Sequence, residues 1–110
     1  MHMLCRINEL PDDGAREFMA DGQSIVVVKR DGQIHTYLNW CPHLGIELNF
    51  QPDVFLDSDN QFIQCANHGA LFEVDTGNCL SGPCSGDKLI AVKHSVRDNE
   101  LWVDELPQPA

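Results

Sequence analysis

Basic residues are scarce in this 110-residue chain: seven Lys and Arg stand against 17 Asp and Glu, a formal net charge of −10. Such a surface repels phosphate backbones and anionic headgroups over about a Debye length, which argues against nucleic acid and membrane as partners. The same imbalance aids solubility and would steer the chain towards a protein with a basic docking surface. Long apolar runs are missing as well. No stretch approaches the roughly 18 uninterrupted apolar residues of a membrane span, and Met1-His2-Met3-Leu4-Cys5-Arg6 lacks the basic flank and apolar run of an export signal. A cytoplasmic location is the expectation. Helical periodicity is nearly absent, with one weak stretch around Ala15 to Ala20. Without a repeat, a low-complexity segment or a linker, residues 1–110 read as a single domain with room for one modest core.

What is present is a succession of short β-branched and aromatic segments between turn signals, which predicts an all-β fold. Ser24 to Arg30 and Gln33 to Asn39 flank Asp31-Gly32, a two-residue hairpin signal. Val54-Phe55-Leu56 and Gln61 to Gln64 flank the polar stretch Asp57 to Asn60, and Cys65 follows at the end of that second hairpin. Ala70 to Val74 and Asn78 to Leu80 flank Asp75-Thr76-Gly77, while Leu89 to Val96 and Glu100 to Val103 flank Arg97-Asp98-Asn99. Pro42, Pro52 and Pro83 with Gly45, Gly69, Gly82 and Gly86 put irregular loops in the middle of the chain.

Those loops carry the chemistry. Five cysteines is an odd count at uneven spacing, a poor basis for a disulfide framework, and grouped Cys and His in a reducing compartment more often hold metal. Cys41-Pro42-His43-Leu44-Gly45 and Cys65-Ala66-Asn67-His68-Gly69 each follow a predicted strand and each offer one thiolate and one imidazole. Two of each suit a tetrahedral zinc ion, or a diiron cluster in which one iron takes both sulfurs and the other both nitrogens. Structural zinc modules usually pair like with like, whereas a two-iron site needs each loop to deliver one ligand to each iron, as a mixed loop does. A glycine close behind each histidine lets loop backbone approach inorganic sulfide.

C-P-H-L-G followed by C-A-N-H-G resembles the Rieske motif, C-x-H-x-G with C-x-x-H-G, and the resemblance extends over roughly Ser24 to Val103. It implies a β-sandwich or partly open barrel with a cluster-binding loop subdomain. It also implies one [2Fe-2S] cluster per chain, with Cys41 and Cys65 on the inner iron and His43 and His68 on the outer, electron-accepting iron. Two ferric ions, two sulfides and two thiolates sum to zero charge, so an electron enters more easily than it would with four thiolates. The implied function is that of a soluble one-electron carrier, a Rieske ferredoxin rather than an enzyme. It would take electrons from a flavoprotein reductase and pass them to a terminal oxidoreductase such as a ring-hydroxylating oxygenase. Alternatives are a small subunit resembling that of NAD(P)H nitrite reductase and, in another class, a zinc-stabilised interaction module.

The chain departs from the family pattern in three places. Residues 44–64 form a longer interval between half-motifs than is usual in the ferredoxin branch. Ile46 and Asn67 stand where the cytochrome bc type carries a disulfide, and Ala70 and Phe72 stand where that type has Ser and Tyr hydroxyls aimed at cluster sulfur. Outside the motif, Cys79 and Cys84 are expected as free thiols, Cys5 and Trp102 as core, Trp40 as a core aromatic supporting the first loop, and His35 and His94 as ordinary strand residues.

Overall fold

A computed structural model of the chain describes residues 2–41, 47–49, 55–57, 61–66, 69–82, 86–104 and 106. Among the described residues nine strands form three antiparallel three-stranded sheets. In chain order they are β1 (His2–Arg6), β2 (Gly14–Ala20), β3 (Gln23–Arg30), β4 (Gln33–Leu38), β5 (Phe62–Gln64), β6 (Leu71–Glu73), β7 (Cys79–Ser81), β8 (His94–Arg97) and β9 (Glu100–Val103). The sheet orders are β2-β3-β4, β5-β6-β7 and β1-β9-β8. Among the described residues the only helix is a single 3-10 turn, Ile7–Glu9.

The middle strand β3 explains the arrangement. Ser24, Ile25, Val26, Val27 and Val28 are all buried, the signature of a strand covered on both faces. Side chains alternate across a strand, so Val26 and Val28 enter one core with Cys41, Leu48, Phe55, Ile63, Cys65, Ala70 and Phe72. Ile25 and Val27 enter a second core with Cys5, Leu38, Val92, Leu101 and Val103. The β2-β3-β4 sheet is thus a wall between a core shared with β5-β6-β7 and a core shared with β1-β9-β8.

Tight turns hold these strands in register. Asp31 and Gly32 join β3 to β4 at φ 51° and 76°, and Asp98 and Asn99 join β8 to β9 at φ 50° and 64°. Positive φ at both central residues is the turn whose twist matches paired strands. The expected hairpin around Asp57 is present in its described part: Leu56 bridges Ile63, the Gln64 N–H donates to the Phe55 carbonyl at 2.7 Å, and the Asp57 N–H donates to Phe62 at 2.9 Å. Val54 and residues 58–60 lie outside the described residues.

Three expectations are corrected. The weak helical stretch Ala15 to Ala20 is strand β2, paired residue for residue with β3 from Gly14↔Lys29 to Ala20↔Gln23. Ala, Arg, Glu and Met are good helix formers, but propensity is a weak prior, and the Asp21-Gly22 turn, φ 50° and 77°, presents the segment to a valine-rich partner that overrides it. The strand expected over Leu89 to Val96 begins only at His94. Before it, Leu89 donates to the Gly77 carbonyl, Ile90 accepts from the Leu38 N–H and Val92 donates to Thr36, so this segment ties β4 to the β6–β7 turn. Trp102 is half-buried on the face of β9 away from the core, beside Met3 and Ser95, because Leu101 and Val103 take the inward positions. Strand β1, unanticipated from the sequence, buries Cys5 as expected.

Candidate metal centre

Cys41 and Cys65 are 2% and 1% exposed and belong to the same core. Among the described residues neither is in a disulfide, nor is Cys5 or Cys79. Each lies just past the end of a strand, β4 for Cys41 and β5 for Cys65. The Cys65 N–H donates to the Ala70 carbonyl and the Gly69 N–H donates to the Cys65 carbonyl, both at 2.9 Å, so the second loop closes on itself across its two ends. Gly69 stands at φ 68°, in the left-handed region that glycine enters without steric cost. Two buried thiols from separate loops in one apolar core suit thiolate ligands, since a buried thiolate needs a positive partner and a metal supplies it. His43, His68 and Cys84 lie outside the described residues.

The feet of the two loops are joined by a short segment that the sequence reading missed. Leu48, fully buried, donates its N–H to Asn39 Oδ1 at 2.7 Å and accepts from the Ala66 N–H at 2.7 Å. Asn39 precedes Cys41 by two residues and Ala66 follows Cys65, so one residue links the approach to the first cysteine with the exit from the second. Asn39 is itself 4% exposed, and its Nδ2 donates to Asn49 Oδ1 at 2.9 Å and Ser24 Oγ at 3.1 Å. The Ser24 hydroxyl donates in turn to the Glu17 carboxylate. Nothing in the sequence marks Asn39 out, since Gln33, His35 and Thr36 are polar in the strand that leads to it.

Other candidate residues fall away from this centre. His35 Nε2 is 3.5 Å from Asp75, and His94 Nδ1 is 3.0 Å from the Thr36 hydroxyl. Burial pushes the His94 imidazole below its ordinary pKa; a bond to the Val92 carbonyl opposes this, and the neighbouring His35 adds to it. His35 lies in β4 and His94 in β8, the strand positions expected of them. Tyr37 is buried under the β6–β7 turn, where its hydroxyl donates to the Val74 carbonyl at 2.6 Å. Burial, then Asp75 and Glu73, raises its pKa to about 12. Cys79 is half-buried and its thiol lies 3.5 Å from the Ser81 carbonyl; Trp40 packs against the second core.

A family model for the Rieske [2Fe-2S] domain matches residues 1–100. The chain belongs to the Rieske family. Members of this family carry a [2Fe-2S] cluster, and the two buried thiols fit that group. The chain is 32% identical over 78 residues to the cytochrome b6-f complex iron-sulfur subunit of Chlorobaculum thiosulfatiphilum, a match covering 71% of this chain and 39% of that protein. It is 29% identical over 102 residues to the 3-phenylpropionate/cinnamic acid dioxygenase ferredoxin subunit of Photorhabdus laumondii, covering 91% of this chain and 90% of that one. Among solved structures, the ferredoxin of carbazole 1,9a-dioxygenase from Nocardioides aromaticivorans superimposes with a TM-score of 0.75 at 22% identity, covering 93% and 94% of the two chains. The fold class is that of the Rieske proteins, and no helix among the described residues is long and apolar enough to cross a membrane.

Proposed function

We propose that Cys41 and Cys65 ligate one iron and His43 and His68 the other. The whole chain, 1–110, then acts as one domain, a soluble cytoplasmic ferredoxin between a flavoprotein reductase and a terminal oxidoreductase such as a ring-hydroxylating oxygenase. The observation carrying this reading is the pair of buried thiols sharing one core at the ends of β4 and β5. Two further facts support it: the dioxygenase ferredoxin relative is matched over nearly its whole length, and the net charge of −10 suits a basic docking surface. The bound cluster supplies one-electron chemistry. The chain contributes two thiolates, two imidazoles and an apolar enclosure of Phe55, Ile63, Ala70 and Phe72 that keeps water from the sulfur side.

Protein purified without oxygen should contain two irons and two labile sulfides per chain and, once reduced, give the paramagnetic signal of mixed Cys/His ligation. Replacing any one of the four residues with Ala should abolish that signal. Stoichiometric zinc without sulfide would replace this reading with that of a zinc-stabilised module.

A further inference from the structure

The two loops are joined at their feet by hydrogen bonds whose polarity can be followed atom by atom. The Leu48 backbone N–H can only donate, so the Asn39 atom 2.7 Å away is its carbonyl oxygen and the amide is held in one orientation. Nδ2 then points the other way, towards Asn49 Oδ1 and Ser24 Oγ, with the Glu17 carboxylate at 3.4 Å. With its oxygen accepting a hydrogen bond from Asn39 Nδ2, the Ser24 hydroxyl donates its own to Glu17. The result is a directed chain from the β2 carboxylate through β3 and the end of β4 to the Leu48 N–H, while the carbonyl of the same residue, on the next peptide group, accepts from Ala66 beside Cys65. Successive donors and acceptors polarise one another in such a chain, and a buried member left without its partner costs far more than an exposed one.

We propose that Asn39 is a positioning residue for the iron–sulfur centre. With Ser24 and Glu17 it fixes the spacing between the Cys41 and Cys65 loops, and the Glu17 carboxylate at its far end lowers the reduction potential. The proposal rests on the reading that these two cysteines are ligands. It accounts for a polar side chain buried where an apolar one would pack without needing partners. It also accounts for the position of Glu17, whose charge is directed along the chain towards the first loop rather than left wholly to solvent.

The test uses the full-length chain, assembled and purified without oxygen. Asn39→Asp keeps the acceptor for Leu48 but sets a second carboxylate against Glu17 and removes both amide donors. It should carry less than half the iron and sulfide of the native protein. Glu17→Gln should load normally, because Gln can still accept from Ser24, and its potential should move upward. Asp12→Asn, exposed at the opposite end of the β2–β3 hairpin, should leave the potential in place. The decisive variant is Asn39→Asp combined with Glu17→Gln, where the amide and the carboxylate have changed places along the chain. It should recover most of the cluster lost in Asn39→Asp alone, a coupling that independent structural damage at two sites would not produce. Normal loading of Asn39→Asp, a double variant no better than the single one, or a Glu17→Gln potential equal to the native value would each overturn the proposal. A native chain that binds no iron and sulfide would overturn the ligand reading instead, and the two failures are therefore distinguishable.

Discussion

The potential of this carrier should lie near the lower end of the Rieske range, roughly −150 mV, because two hydroxyls that raise it elsewhere are replaced by Ala70 and Phe72. The structure adds weight to these positions: Ala70 and Phe72 are 1% and 0% exposed and share a core with both cysteines. A donor to cluster or thiolate sulfur favours the reduced state, which carries one more negative charge. If each new hydroxyl contributes a net hydrogen-bond value of about 1 kcal/mol to that difference, a one-electron couple rises by about 40 mV per hydroxyl. The double change Ala70→Ser with Phe72→Tyr should therefore raise the midpoint by about 80 mV in protein-film voltammetry. The added oxygens enter a filled core, so a lower melting temperature should accompany the gain. A native potential well above zero would refute the reasoning. So would a double variant that keeps its cluster and does not shift upward.

Three further outcomes are expected. Burial holds the His94 pKa below 6.5, so as pH falls through that value the unfolded chain takes up the proton first. Stability is full above that pH and is lost below it, and melting temperatures recorded across pH 5 to 7 should show a slope that His94→Gln reduces. Gly77 stands at φ 77° with Tyr37 Cε1 only 2.9 Å from where a Cβ would lie, so Gly77→Ala should cost about 2 to 4 kcal/mol, read by denaturant unfolding. Electron exchange with the physiological partner should slow as salt rises, and reversing the exposed Glu47 to Lys should weaken that dependence in stopped-flow measurements.

The hairpins and the half-motifs were legible because their signals are local. Asp31-Gly32 and Asp98-Asn99 are turn chemistry, and Cys41 and Cys65 follow the strands that deliver them. What escaped depends on partners distant in sequence. Nothing within Ala15 to Ala20 tells a helix from a strand until β3 lies alongside, and β1 becomes a strand by pairing with β9 from the other end of the chain. Trp102 was assigned to the core by residue type, yet alternation along β9 gives the inward places to Leu101 and Val103. The role of Leu48 could not be read at all, because its two bonds are made by backbone atoms that every residue but proline possesses.

The strand shared by both cores has a consequence for how the molecule transmits damage. Val27 faces away from Cys41 and Cys65 while its chain neighbours Val26 and Val28 share their core. A void opened at Val27, as in Val27→Ala, lets the backbone of β3 sink towards it and draws Val26 and Val28 back from the wall of the metal-side core. The two halves should therefore melt together, and the amide protons of β3 should be among the last to exchange with solvent. Val27→Ala should accordingly shorten the lifetime of a cluster held by Cys41 and Cys65, although Val27 lies in the other core.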